Sequence, residues 1–370
     1  LPEELFEIYS GFLSKKQYVL TPEAVEKAKE ALLEIYENRD DSFANGRTAR
    51  NLADETVRRQ SGRISALEKH LRDREIFMTI TAEDIPLAPR AKELSVDEIL
   101  SDLDSMIGLT ELKAEVRVLA DSIRMDRERV AGGGAQAEAQ SYHIVFTGNP
   151  GTGKTTVARK LGALFKAMGL LPSGKVIEVD RSKLVAGYVG QTAPQTNKII
   201  DEAMGGILFI DEAYTLAQGG QDAFGQEAID TLLKRMEDDK GRFVVIAAGY
   251  RREMERFISS NSGLESRFTK FFNLVDYTAA ELQSIYEHTA AKNGYTIAGD
   301  ARPVLAKAVQ AIYAGRGETF ANGREMRKLF EETRRRQAAR LARLDKTERT
   351  AQALGTITAG DIPVQEGGEA

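Results

Sequence analysis

The chain has no cysteine among its 370 residues, and so no disulfide framework and no thiolate metal site. That composition fits a reducing compartment, and the cytoplasm is the expected location. Histidine is nearly as scarce. His70, His143 and His288 stand far apart and offer no metal cluster. His143 falls within a candidate strand and is expected to be a packed residue. No apolar run approaches the ~18 residues that a membrane span needs, and the start shows no signal-peptide pattern. A net charge of −5 gives no reason to expect a nucleic-acid partner. The sequence opens on Leu1 and not Met, which suggests part of a longer protein. The remaining composition, 42% hydrophobic and 29% charged, is that of an ordinary globular protein with room for two or three compact units.

Two features organise what is present. The first is Gly148-Asn149-Pro150-Gly151-Thr152-Gly153-Lys154-Thr155, which fits the phosphate-loop pattern G-x-x-x-x-G-K-[ST]. Apolar Tyr142–Phe146 before it reads as a buried strand, and Thr156–Phe165 after it reads as a helix. Such a loop turns backbone N–H groups and a helix N-terminus toward phosphates. Lys154 is placed to reach the β- and γ-phosphates, and the Thr155 hydroxyl to ligate Mg²⁺. Pro150, Gly151, Thr152, Gly153 and Thr156 complete the candidate ATP contacts.

The second is a repeat. Phe43-Ala44-Asn45-Gly46-Arg47 recurs as Phe320-Ala321-Asn322-Gly323-Arg324, at an offset of 277. Ile80-Thr81-Ala82-Glu83-Asp84-Ile85-Pro86 recurs at the same offset as Ile357-Thr358-Ala359-Gly360-Asp361-Ile362-Pro363. Residues 1–86 thus align without a gap on 278–363, and each copy reads as a small helical bundle. Interspersed carboxylates make the Arg-rich helix over Glu331–Leu344 a solvated face. The domains expected are 1–90, a helical lid of a preceding module; 91–275, a nucleotide-binding core; and 276–370, that core's own lid. A linker is expected over 87–104 and a helix from Glu111 to about Val130.

Between loop and lid the pattern alternates strands with helices, which argues a parallel three-layer sheet. Gly206-Ile207-Leu208-Phe209-Ile210-Asp211-Glu212 is a buried strand ending in two carboxylates, at the end where such sheets place ligands. Asp211 is expected to partner Mg²⁺, and Glu212 to polarise the attacking water. Arg267 is the candidate transition-state cation for a neighbouring subunit, set against a surface ion pair with Glu255 or Glu265. Arg324 is the candidate lid cation for the γ-phosphate, with Arg327 as its competitor. Tyr188 and Val189, between Gly187 and Gly190, form an exposed loop that in a ring lines the central hole. Phe224 is a second such contact, on the glycine-rich loop 218–225. Ile107 and Gly108 are the candidate adenine pocket.

With these stretches in view, the module resembles an AAA+ ATPase, and is most similar to the CbbX/CfxQ–SpoVK branch with its EccA-like members. Phe146–Thr156, Ala186–Pro194 and Ala203–Tyr214 carry the resemblance, which covers about 95–365 and, for the lid, 1–86 again. It implies a P-loop αβα fold with a C-terminal helical lid. It further implies an ATP- and Mg²⁺-dependent homo-hexameric ring that remodels or threads a protein client. In that family Arg267 corresponds to the arginine finger, Arg324 to the sensor 2 arginine and Tyr188 to the pore-loop aromatic. Ser262 stands where the branch usually has proline, and Ala247-Ala248-Gly249-Tyr250 offers only Tyr250 as a polar sensor 1. The alternative is a nucleotide-gated scaffold in which turnover is incidental; a DNA translocase fits less well, having no basic pore loop here.

Overall fold

The computed structural model describes residues 2–37, 45–66, 74–86, 94–133, 142–188, 190–217, 223–345 and 347–364. Phe43, Ala44, Val189, the loop 218–222 and residues 87–93 of the expected linker lie outside these. The chain divides into two compact units, Leu1–Glu93 and Leu94–Ala370.

The first unit is helical. Its elements are α1 (Pro2–Lys15), β1 (Val19–Leu20), α2 (Pro22–Glu37), α3 (Asn45–Ala66), α4 (Arg74–Met78) and β2 (Thr79–Ile80), with β1 and β2 paired in parallel. Leu5, Tyr9 and Leu13, spaced four apart, put one face of α1 into a core shared with Ala28, Leu32, Ala49 and Ile80.

The second unit opens with α5 (Val96–Asp104) and α6 (Thr110–Ala131). The linker expectation over 87–104 thus yields to a helix from Val96. Ser95 and Glu98 cap it reciprocally, a capping box at the sequence level. Then follow β3 (Ile144–Thr147), α7 (Lys154–Ala167), β4 (Val176–Val179), α8 (Arg181–Leu184), α9 (Thr192–Ala203), β5 (Ile207–Ile210), a 3₁₀ turn (Ala213–Ala217), α10 (Ala223–Asp238), β6 (Val244–Gly249), α11 (Arg251–Ser259), α12 (Ser262–Arg267) and β7 (Lys270–Asn273). The lid comprises α13 (Ala279–Lys292), β8 (Thr296–Ile297), α14 (Ala301–Ala314), α15 (Gly323–Ala342), α16 (Ala351–Gly355) and β9 (Thr356–Ile357).

The five strands β4-β5-β6-β3-β7 form one parallel sheet. Strands β5 and β6 are buried along their whole length, as their unbroken apolar runs require. Alternate side chains feed two cores. Ile144, Phe146, Phe209 and Ile246 meet α5, α6 and α7; Val145, Leu208, Ile210 and Val245 meet α9, α10 and α11. That is the three-layer αβα sandwich. The first core runs on into the lid through Leu282, Tyr286, Met326 and Phe330.

The two helical bundles repeat their buried polar contacts. Tyr9 Oη lies 3.1 Å from Thr56 Oγ1, and Tyr286 Oη 2.9 Å from Thr333 Oγ1. Gln60 donates to the carbonyls of Phe77 and Thr79, and Gln337 to those of Leu354 and Thr356. Arg63 makes two 2.8 Å bonds to Asp84, and Arg340 two to Asp361. Burial alone would raise the pKa of each aspartate. The guanidinium and the Thr81 or Thr358 N–H outweigh it, and both carboxyls sit below their ordinary value. A depressed folded pKa stabilises above the unfolded value of about 4 and is lost as pH falls through the folded one. Thermal melts should therefore be nearly level from neutral pH down to about pH 5 and fall below about pH 4. Asp361→Asn should cost about 3 kcal/mol at neutral pH, low in the range for breaking a buried pair because Arg340 keeps 33% exposure. It should also flatten the acid slope; an unchanged slope would remove Asp361 from that account.

Candidate active site

The register aligns the C-terminal ends of the sheet. Thr147 of β3 lies opposite Gly249 of β6, and Ile210 of β5 opposite Ala247. Gly148, Asp211 and Tyr250 therefore emerge along one edge. The Gly148 N–H donates to Gly249 O at 3.1 Å and the Asp211 N–H to Val179 O at 2.8 Å.

The loop 148–153 is closely packed on its outer side. Gly151 has φ +73°, and a Cβ there would sit 2.2 Å from the Ala321 carbonyl oxygen, so both conformation and space demand glycine. Lys154 opens α7 and bends back, donating to Gly148 O at 2.7 Å and Asn149 O at 2.9 Å. Burial pushes its pKa down and Arg324 adds to that, while Asp211, Glu212 and Asp276 oppose it. Lys154, Asp211, Glu212 and Arg324 are thus brought into one electrostatic neighbourhood. The Thr155 hydroxyl lies 3.3 Å from Glu178 Oε1, a neighbour the sequence did not single out. Thr156 is exposed beyond it in the first turn of α7.

Glu212 carries φ +49°, a left-handed conformation unusual for a glutamate and costing ~1–3 kcal/mol. Its N–H donates to Asp211 Oδ1 at 3.1 Å, and the Thr215 hydroxyl donates to its carbonyl at 2.7 Å. Strain of this kind persists only where the surroundings impose it, and it fixes Glu212 at the strand end. Tyr214 and Tyr250 lie nearby with their rings tilted and centroids 6.1 Å apart. Burial, then Glu212, pushes the Tyr214 phenol up to about 12.

Arg267 lies at the other end of the sheet. It ends α12, and β7 then begins at Lys270, opposite Ile144 at the start of β3. Lys154 follows the far end of β3, so a strand length of roughly 10 Å or more separates Arg267 from its own phosphate loop. The guanidinium contacts Glu237 Oε2 at 3.3 Å and the Gly263 carbonyl at 3.4 Å, and among the described residues Nε has no hydrogen-bond partner. The ion pair expected with Glu255 or Glu265 is instead with Glu237 of α10, which packs against α12.

Tyr188 is 74% exposed between α8 and α9, so it is not a core residue. Below it, the buried Thr192 hydroxyl accepts the Ala186 N–H and pins the base of the loop. Val189 lies outside the described residues. Phe224 is half-buried in the first turn of α10, and its expected loop position is corrected: the helix begins three residues earlier than the Gln226 start read from the glycine-rich stretch. His143 is packed, as expected. Its Nδ1 accepts the Val245 N–H at 2.9 Å, its ring lies against Phe243 and Phe268, and burial pushes its pKa down to about 4. Ile107 and Gly108 form the α5–α6 turn. A Cβ on Gly108 would meet the Tyr277 ring at 3.0 Å, and the Met106 methyl lies 3.7 Å from where Gly153 would carry one. The turn therefore borders the phosphate loop.

Sequence reasoning passed over Asn149, Asp276, Tyr277 and Asn322. Asn149 Nδ2 donates to both Asp276 carboxylate oxygens, at 3.0 and 2.9 Å, and Tyr277 Oη donates to Thr152 O at 3.0 Å. Asn322 belonged to the repeated Asn-Gly-Arg and was visible there. Among the described residues no three His, Asp or Glu side chains form a metal cluster, and no helix is long and apolar enough to cross a membrane. The Thr155 hydroxyl and Asp211 carboxylate are hard oxygen donors of the kind Mg²⁺ shares with phosphates.

Known proteins resemble this chain along most of its length. The pattern of the ATPase family associated with various cellular activities (AAA) matches residues 144–275, and that of the AAA lid domain matches both 1–95 and 278–370. Stage V sporulation protein K of Bacillus subtilis is 39% identical over 277 residues, 75% of this chain and 85% of that protein. The chloroplastic ribulose bisphosphate carboxylase/oxygenase activase of Cyanidioschyzon merolae is 38% identical over 282 residues, 76% and 95% of the two chains. The ESX-3 secretion system protein EccA3 of Mycolicibacterium smegmatis is 38% identical over 289 residues, 74% of this chain and 47% of that one.

Proposed function

Because the chain belongs to the AAA ATPase family, in the branch that holds SpoVK, CbbX, CfxQ and EccA, we propose that it works as a hexameric ring that spends ATP to thread a protein client through a central pore. The observation that carries this reading is Tyr188, an aromatic side chain 74% exposed on a loop with a pinned base, in the same module as an intact phosphate site. A buried site hydrolyses nucleotide without any such residue; an exposed ring face gives a grip on peptide that tolerates most sequences.

Within the site, Lys154 leaves the carbonyls of Gly148 and Asn149 for the β- and γ-phosphates, exchanging two neutral acceptors for charged ones. Thr155 and Asp211 hold Mg²⁺, which neutralises phosphate charge when bound. Glu212, fixed by its backbone, orients the attacking water. Arg324 reports the γ-phosphate from the lid, and Tyr250 fills the sensor 1 position. Ile107 and Gly108 border the adenine. Arg267, a strand length from its own Lys154, acts on the site of the neighbouring subunit.

Residues 1–90 act, in the same reading, as the lid of a second nucleotide-binding module. The lid-domain match and the repeated polar contacts support it. So does Ile8, which is 38% exposed while its repeat partner Ile285 packs against the core of its own module.

Glu212→Gln tests the function. The variant should hold ATP without cleaving it and should co-purify with a protein client from its own cells. Tyr188→Ala in that background should release the client while nucleotide stays bound. A stable ring whose partners ignore Tyr188 would count against threading and favour the nucleotide-gated scaffold.

A further inference from the structure

Four successive residues of the phosphate loop are held from outside by the hinge and the lid. Asp276 takes the Asn149 side-chain amide. Asn322 Nδ2 donates to Pro150 O at 3.4 Å, the Gly323 N–H to Gly151 O at 3.2 Å, and Tyr277 Oη to Thr152 O at 3.0 Å. Asn322 ties these together. Its Nδ2 also donates to Asp276 Oδ1 at 2.7 Å and to Phe320 O at 3.0 Å, and its Oδ1 accepts the Tyr277 N–H at 2.9 Å. It is fully buried and has φ +43° with ψ −119°, a conformation that L side chains rarely adopt. A strained, buried asparagine with its whole amide engaged is retained for what it holds.

The peptide geometry says what that is. In a trans peptide the C=O and the following N–H point in opposite directions. Fixing the carbonyls of 150, 151 and 152 toward the lid therefore fixes the N–H groups of 151, 152 and 153 toward the opposite side, where an anion would sit. We propose that Asn322, with Asp276 and Tyr277, is a positioning element for the nucleotide phosphates: the lid builds the anion-binding side of the loop by anchoring its carbonyl side. The inference rests on the reading of 148–155 as the ATP site. It makes lid position and phosphate affinity one property. A lid displaced from the loop leaves those carbonyls free to turn inward, where they repel phosphate oxygens.

The test uses the full chain and a fluorescent ADP analogue. Asn322→Gly removes the amide and relieves the backbone strain, so the fold should survive, with a melting temperature close to wild type in the absence of nucleotide. Affinity should fall about tenfold, the loss expected for hydrogen bonds that involve a charged partner. KM for ATP should rise by the same factor with little change in kcat, because the latch acts before the phosphate bond breaks. Tyr277→Phe, which deletes only the hydroxyl on Thr152 O, should move affinity the same way by less. Asn322→Asp should weaken binding more than Asn322→Gly, since it sets a second carboxylate against Asp276; Asp276→Asn in that background should restore part of the loss. Folded Asn322→Gly or Tyr277→Phe with wild-type affinity overturns the proposal. Lys154→Ala in parallel separates the two readings: normal binding there means that the loop is not the ATP site at all.

Discussion

Lys154→Ala is expected to weaken nucleotide binding by about a hundredfold or more, the largest single effect on affinity in this chain. The side chain is half-buried and already bears a desolvation cost, in line with its lowered pKa. It recovers that cost through the carbonyls of Gly148 and Asn149, and more fully through phosphate oxygens. Alanine leaves those oxygens facing Asp211, Glu212 and Asp276 with one cation fewer. Titration calorimetry with ADP and a non-hydrolysable ATP analogue measures the loss directly. A folded Lys154→Ala protein with wild-type affinity would remove the phosphate loop from the account.

Arg267→Ala should instead leave affinity intact and lower turnover by about 10³, the scale of an arginine supplied to phosphoryl transfer. The decisive form is a mixture. Lys154→Ala subunits keep a sound Arg267 but cannot hold nucleotide, and Arg267→Ala subunits hold nucleotide without the cation. Each alone should be inactive, and rings containing both should regain turnover. Mixed rings, verified by mass, that stay inactive would show that Arg267 does not act across the interface. Glu237 sharpens the point. It holds the guanidinium within the free subunit, and a neighbour's phosphate must draw it away. Glu237 is the exposed member of the pair, at 62% against 26% for Arg267, so water can take its place on the guanidinium.

Much of this was legible in the sequence because it was local. The phosphate loop, the strand ending in Asp211 and Glu212, and the doubled lid are each carried by contiguous residues or by one fixed offset. What escaped was set by contacts between distant segments. Nothing in the order of residues joins Asn149 to Asp276, or Pro150 to Asn322; the parallel sheet and the return of α15 do that. Glu237 was passed over for nearer glutamates because α10 meets α12 only once the sheet has formed. The start of α5 was missed for a different reason. Its capping box Ser95/Glu98 was present, but a polar flank made the whole stretch read as linker. The φ of Glu212 left no trace, since a strained conformation is imposed by neighbours and not by residue type.

The repeated interior of the two bundles has a consequence for assembly during synthesis. A chain that carries two copies of one fold meets a choice of partner before it is complete, and mispairing is the characteristic failure of such chains. The buried Tyr–Thr, Gln–carbonyl and Arg–Asp contacts offer no discrimination, being the same in both. Volume does. Where α15 carries Met326 and Phe330 into the core of its bundle, the phenyl ring against Tyr286 and Tyr295, the repeat positions on α3 are Ala49 and Ala53. Were α3 to take the place of α15, it would leave a void where a phenyl ring and a thioether belong, at about 2–5 kcal/mol for each missing side chain. The two copies thus carry different keys cut on one blank, and at these two positions the cut is made in size.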